Sequence, residues 1–176
     1  MSKIQILDKQ FKLFIPAADI QKAVTEMAGR MNEELKGRDI IFIAILNGAF
    51  MFAADLYRKL EIPSRITFLK LASYEGTTTS GKVKRLVGLG ENLKGLTVVV
   101  IEDIVDTGVT LDHIVKQLKG YEPADIKIAT LFFKPGTYRY EIPLDYVGIE
   151  VPDEFIVGYG LDYNGYGRNL EDLYVL

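Results

Sequence analysis

Between residues 16 and 36 the apolar residues Ile20, Ala23, Val24, Met27, Ala28 and Met31 recur three or four positions apart, the spacing that lays one buried stripe along a helix, and Gly37 is a suitable stop. Residues 40–46 follow as an unbroken apolar run, the pattern of a strand covered on both faces. Asn47-Gly48 turns that run into a second helical pattern over residues 50–60. Further strands are expected at residues 65–72, 96–101 and 126–133, and Thr107-Gly108 leads from the second of these into a helix over 110–119. Buried-type strands alternating with helices predict right-handed βαβ units and an α/β fold with a mainly parallel central sheet flanked by helices. Ligands of such sheets bind beyond the carboxyl ends of the strands, which places the chemistry in the loops after Leu46, Ala72, Ile101 and Phe133. After Pro135 the texture changes to Tyr, Gly, Pro and Asp with short strand-like runs at 146–151 and 155–157, a small cap instead of another βα unit.

Composition narrows the partners. The 176 residues are 48% apolar and 26% charged, proportions of one globular domain. Lys plus Arg at 21 against Asp plus Glu at 24 gives net −3, which argues against nucleic acid as a main partner. Without cysteine there are no disulfides, no thiol nucleophile and no Cys-based zinc site, and the reducing cytoplasm is the expected compartment. Residues 1–14 alternate polar and apolar, and no run approaches the length of a membrane span, so neither export nor a membrane partner is expected.

Two familiar patterns fail on context. The stretch from Gly76 through Gly81-Lys82 has Walker A spacing, but Val83 stands where the Mg²⁺-holding hydroxyl belongs. Gly88-Leu-Gly90 begins a dinucleotide fingerprint, yet Leu93 occupies the third glycine position. The informative segment is Val98-Val-Val-Ile-Glu102-Asp103-Ile-Val-Asp106-Thr107-Gly108-Val109-Thr110. A buried strand delivers two adjacent carboxylates, a third follows, and hydroxyl residues with a glycine open a helix. The amides of that helix start, with Thr107 and Thr110, make a donor-rich cradle for one phosphate, and the acids before it suit sugar hydroxyls and metal-bound oxygens. Taken singly, Asp106 and Thr107 read as helix caps and Glu102 and Asp103 as solvated turn residues.

Together these residues resemble the phosphoribosyl-diphosphate signature of the type I phosphoribosyltransferases. Other segments are similar in the same order: Leu46-Asn47-Gly48-Ala49 resembles the pyrophosphate loop, Ser73-Tyr74 opens a segment like the flexible catalytic loop, and Phe133-Lys134-Pro135 resembles the base-recognition lysine. The tail from Val151 through Phe155, Tyr159, Asp162 and Arg168 to Leu170 looks like the hood of the hypoxanthine-guanine branch. The resemblance implies a single domain with a core over about residues 16–135 and a hood built from about 1–15 plus 136–176. One departure stands out: the family commonly carries Lys or Arg at the position of Asn47, after a peptide bond that is often cis, and Asn supplies no positive charge.

The implied reaction joins a purine nitrogen to C1 of phosphoribosyl diphosphate and expels pyrophosphate, with Mg²⁺ as cofactor. By resemblance, Glu102 and Asp103 hold the ribose hydroxyls directly or through metal-bound water, and residues 106–110, including Thr107, Gly108, Val109 and Thr110, hold the 5′-phosphate. Asp106 is the expected base at purine N7. Lys134 would donate to the 6-oxo group, Phe155 stack on the purine and Ile156 read its edge through the backbone. Asp162 is expected to coordinate Mg²⁺, and Arg168 and the amides of Gly48 and Ala49 to bind pyrophosphate. Ser73, Tyr74 and the stretch through Gly81 would close over the reacting centre and exclude water. The lone His113 has no catalytic role. Phe50-Met51-Phe52 offers an apolar surface for a homodimer or homotetramer. Alternatives are a transferase for another base, which Lys134 and Phe155 argue against, and a nucleotide-sensing RNA-binding regulator of the same fold, which the acidic balance disfavours.

Overall fold

The computed structural model describes residues 3–74, 83–87 and 89–176, with side chains described for 3–71 and 89–176. The chain runs β1 (Lys3–Ile6), β2 (Lys9–Ile15), α1 (Ala17–Glu34), β3 (Ile40–Leu46), α2 (Phe50–Tyr57), β4 (Arg65–Tyr74) and β5 (Val83–Val87). It continues through β6 (Thr97–Val105), α3 (Val109–Lys119), β7 (Asp125–Phe133), β8 (Tyr146–Glu150), β9 (Ile156–Val157) and β10 (Leu173–Val175).

Six strands form the main sheet in the order β5-β4-β3-β6-β7-β8, parallel throughout except for β5, which pairs antiparallel with β4. The unbroken apolar run of β3 follows from burial on both sides. Phe42 and Ala44 join the core under α1 and α2, while Ile41, Ile43 and Ile45 join the core under α3. Ile20, Val24, Met27, Ala28 and Met31 form the buried stripe of α1, as their spacing predicts. A second, antiparallel sheet, β1-β2-β10-β9, brings the two ends of the chain together around Ile6, Phe11, Val157 and Tyr174. It is tied to the main body where the Asp172 carboxylate accepts the Ala17 amide at the start of α1 at 2.7 Å, a cap supplied from the far end of the chain because Pro16 has none to give.

Several boundaries differ from those the pattern predicts. The run at 146–151, expected in the cap, supplies β8, which pairs with β7 in the main sheet; the Tyr146 ring is buried there and lies under the Arg30 guanidinium of α1. β5 carries no periodic signal strong enough to separate it from the loop before it. β6 runs on to Val105, so Glu102 and Asp103 are still strand residues and not turn residues. α2 ends at Tyr57, earlier than the pattern suggests, with Pro63 not far beyond. No helix among the described residues is long and apolar enough to cross a membrane.

Candidate active site

The carboxyl ends of β3, β6 and β7 and the turn between β9 and β10 converge on one place. At the end of β3 the Leu46–Asn47 peptide is cis, and Gly48 follows. The Gly48 α-carbon lies against the Asp103 carboxylate so closely that a β-carbon would overlap Oδ2. From the other side, a β-carbon on Gly160 would overlap the Gly48 carbonyl. Only glycine at both positions allows strand end, loop and turn to stack this tightly. The Ala49 amide, expected to be available to pyrophosphate, instead donates to the Ile45 carbonyl of β3 at 3.3 Å, across the turn that leads into α2. This leaves the Gly48 amide as the donor of the pair. Asn47 is exposed, and Lys70, also exposed, is the register partner of Leu46 on the neighbouring strand.

β6 delivers the acids in two environments. Glu102 is buried and Asp103 is half-buried. Burial, and then the adjacent Asp103 charge, hold the Glu102 carboxyl well above the usual carboxylate range, and burial also raises Asp103, against opposing backbone hydrogen bonds and the Arg168 charge. The two carboxyls are hydrogen-bonded to each other, and burial is the leading cause of the rise in both. Both line a cavity of about 260 Å³ with Asp106, Thr107, Gly108 and Thr110. Gly108, at φ 88°, starts α3 with its α-carbon under the rings of Tyr138 and Tyr140, while Thr107, Val109 and Thr110 face outward. This is a helix start open to an anion. A larger cavity of about 580 Å³ lies between α3 and the segment Glu141–Asp145, at the amino end of β7 and away from these groups.

Asp106 does not cap the helix. No side chain caps α3, and the Thr107 hydroxyl reaches the Val109 amide only at 3.5 Å. The Asp106 carboxylate turns instead to the loop after β7, where Lys134 Nζ donates to Oδ2 at 3.2 Å and the Thr137 hydroxyl donates to Oδ1 at 2.5 Å. Burial pushes this carboxyl up, but the Thr137 hydroxyl and the Lys134 ammonium outweigh it and hold it below the usual range. Lys134 is itself buried and has a second anionic neighbour, Asp153, at 3.6 Å.

The remaining residues sit on the second sheet and its turn. Phe155 is 48% exposed, supported edge-on by Tyr163 at 5.9 Å and by Phe11 at 6.3 Å, and its neighbour Ile156 is buried in β9. Asp162 Oδ1 pairs with Arg168 Nη2 at 2.5 Å, Oδ2 accepts the Gly165 amide at 2.7 Å, and Arg168 Nη1 donates to the Gly160 carbonyl at 2.6 Å. The Tyr159 hydroxyl donates to Asp55 of α2 at 2.6 Å and Gln21 of α1 donates to the same oxygen at 2.6 Å, which fixes the turn to the helix that follows Gly48. The backbones of Ser73 and Tyr74 close β4, whereas their side chains, and residues 75–82, lie outside the described set. His113 is exposed on α3.

Sequence reasoning missed Thr137, Asp153, Tyr163, Phe11 and the Asp55–Tyr159 bond. Thr137, three residues after Lys134, Asp153, two before Phe155, and Tyr163, next to Asp162, stood beside predicted residues; Phe11 and Asp55 are brought in by pairing between distant segments.

Among the described residues no three acidic or imidazole groups converge as a closed metal cage. Asp103, on the wall of the 260 Å³ cavity, offers hard carboxylate oxygens of the kind that suit a Mg²⁺ keeping most of its ligands from water and phosphate, whereas both Asp162 oxygens are already engaged, by Arg168 and by the Gly165 amide.

The model of the phosphoribosyl transferase domain family matches residues 16–164. Among curated proteins, a hypoxanthine phosphoribosyltransferase of Salmonella typhimurium is 37% identical over 162 residues, covering 90% of this chain and 91% of that protein. A hypoxanthine-guanine phosphoribosyltransferase of Staphylococcus epidermidis is 41% identical over 153 residues, covering 86% of each. Among solved structures, a hypoxanthine phosphoribosyltransferase of Staphylococcus aureus superposes with a TM-score of 0.86 at 34% identity, covering 94% of this chain and 90% of that one.

Proposed function

Because the chain belongs to the phosphoribosyl transferase domain family, we propose that it is a purine-salvage enzyme, converting hypoxanthine or guanine with phosphoribosyl diphosphate into the nucleoside 5′-monophosphate and pyrophosphate. The observation that carries this reading is the Asp106–Lys134 pair at 3.2 Å, set beside an open helix start. A carboxylate and an ammonium so placed match the two edges of a 6-oxopurine that must be handled, the N7 proton and the exocyclic oxygen.

Phe155 receives the base on its exposed face, and Ile156 presents its backbone to the ring edge. Lys134 moves from Asp106 Oδ2 to the 6-oxo group, which frees Oδ2 to take the N7 proton as the ring nitrogen attacks C1. The amides of residues 108–110 and the Thr107 and Thr110 hydroxyls hold the 5′-phosphate. Asp103, with Glu102 behind it, orients the ribose hydroxyls. Arg168 and the Gly48 amide hold pyrophosphate, and Ser73 and Tyr74 serve the closing loop that keeps water from a cationic ribose. Asp103 and Asp162, with Glu102 behind them, would hold Mg²⁺, which supplies charge neutralisation of the leaving pyrophosphate when bound. Since Asn47 adds no charge, Lys70 beside it is the nearest candidate cation on the strand pair.

Residues 1–15 with the tail after 150 act as the hood over a core that includes β8, and the setting is cytoplasmic. Phe50, at the start of α2 just after the Gly48 loop, is 41% exposed, whereas Phe52 is buried in the core. A homodimer or homotetramer is the expected state, and a monomer by light scattering at working concentration overturns it.

The test is nucleotide formation from phosphoribosyl diphosphate with hypoxanthine, guanine, xanthine and adenine in parallel, each with Mg²⁺ and with chelator. Metal-dependent product from a 6-oxopurine with adenine inert is expected. Absence of product in a folded protein that binds phosphoribosyl diphosphate overturns the reading.

A further inference from the structure

The Asp106 carboxylate is held at both oxygens, and the two partners differ in kind. Lys134 sits on a long flexible stem and has other business: its ammonium also approaches Asp153 at 3.6 Å and must reach the purine. Thr137 is short, half-buried and locked in a turn, with its amide donating to the Lys134 carbonyl at 3.3 Å. Its single hydroxyl proton has two acceptors within range, Asp106 Oδ1 at 2.5 Å and the Lys134 carbonyl at 3.3 Å, and the shorter contact takes it. The same loop is pressed onto the phosphate cradle, since the Arg139 amide donates to the Thr107 carbonyl at 3.2 Å and the Tyr138 and Tyr140 rings cover Gly108.

We propose that Thr137 is a positioning residue for the proposed base: its hydroxyl keeps Asp106 Oδ1 fixed while Lys134 leaves Oδ2 for the purine. This rests on the reading of Asp106 as base. Without the hydroxyl, the departure of Lys134 would leave a half-buried carboxylate free to rotate toward Thr107 and cap α3, the role its sequence position favours. A hydroxyl donor favours the charged form of the acid it serves, so its removal raises the acid's pKa. Among the described residues, the charged groups facing Asp106 are Lys134, at the end of β7, beyond it Asp153 from the segment before β9, and Glu102 and Asp103 of β6, which line the same cavity. All of them remain when Thr137 is changed.

The experiment compares T137V, T137S and D106N, with T137A as a second hydroxyl-free variant if T137V does not fold. Carbon-13 NMR titration of the side-chain carboxyls in the free protein, with D106N assigning the Asp106 signal, reads the acid directly. T137V is expected to move the Asp106 midpoint up by about one pH unit, tenfold in proton affinity, and T137S to restore it. The kcat of T137V is expected to fall about tenfold with the KM for phosphoribosyl diphosphate unchanged, and T137V is expected to add nothing in a D106N background. An unmoved Asp106 midpoint, or a T137S as impaired as T137V, overturns the role of Thr137 while D106N still reports on Asp106. Full turnover in D106N overturns the base assignment itself.

Discussion

Gly48 and Asp103 touch across the main sheet: the α-carbon of one, at the end of β3, lies flush against the carboxylate of the other, near the end of β6. The contact couples the pyrophosphate loop to the acid expected to serve ribose and metal, because neither can shift without the other. Gly48→Ala forces Asp103 aside, and phosphoribosyl diphosphate affinity should fall roughly tenfold or more while the fold survives. Isothermal titration with phosphoribosyl diphosphate, alongside thermal unfolding, checks this; unchanged affinity means that the two groups are not coupled in the working enzyme.

Asp106→Asn keeps the shape of the side chain and its place beside Lys134 but cannot accept the N7 proton. Turnover should drop by about two to four powers of ten with binding of phosphoribosyl diphosphate retained. Steady-state kinetics with hypoxanthine and guanine test it, and near-normal turnover rules the role out.

Phe155→Ala removes the exposed face supported by Tyr163 and Phe11. Purine affinity should weaken by roughly 1–3 kcal/mol, the worth of a base-stacking platform, with little effect on phosphoribosyl diphosphate. A variant that loses both substrates equally would show that the ring holds the second sheet together instead of holding the base.

Glu102 gives a stability prediction with a definite sign. Its folded-state pKa is raised by burial and by Asp103, so the folded protein binds more protons than the unfolded chain once the pH rises past the ordinary value of 4.5. Stability contributed by that proton is therefore present at low pH and declines as pH rises through the folded pKa. Glu102→Gln should raise the melting temperature at pH 8 by roughly 2–4 °C for each 1 kcal/mol of relief, and by less near pH 5. Equal shifts at both pH values would mean that the carboxyl is not the strained group.

The Tyr159–Asp55 bond predicts a cost of a different kind. Tyr159→Phe leaves Asp55 with Gln21 and the distant Arg58 guanidinium, and the second sheet loses a tie to α2. Thermal unfolding should report a loss on the order of 1 kcal/mol. A variant as stable as the parent would place the hold of the second sheet on the Asp172–Ala17 cap instead.

The chain's own pattern determined the parallel sheet and the position of its ligand loops. Residues 40–46 need cover on both faces, and only helices packed on either side of a sheet provide it. The open helix start after β6 was equally legible, because acids, hydroxyls and a left-handed glycine at a strand-to-helix junction are consecutive residues whose chemistry survives being read in a line. Tertiary structure decided what depends on distance in space. Asp106 reads locally as a helix cap, and only the loop after β7, folded back onto the cradle, turns its carboxylate to Lys134 and Thr137. The run at 146–151 looks like cap, and only an unpaired edge on β7 draws it into the main sheet. The two glycines at 48 and 160 mark turns in sequence, yet their reason is the close approach of three segments that lie far apart along the chain. Local propensity carries no information about which distant backbone will press against a residue, and at this site that pressure sets the geometry.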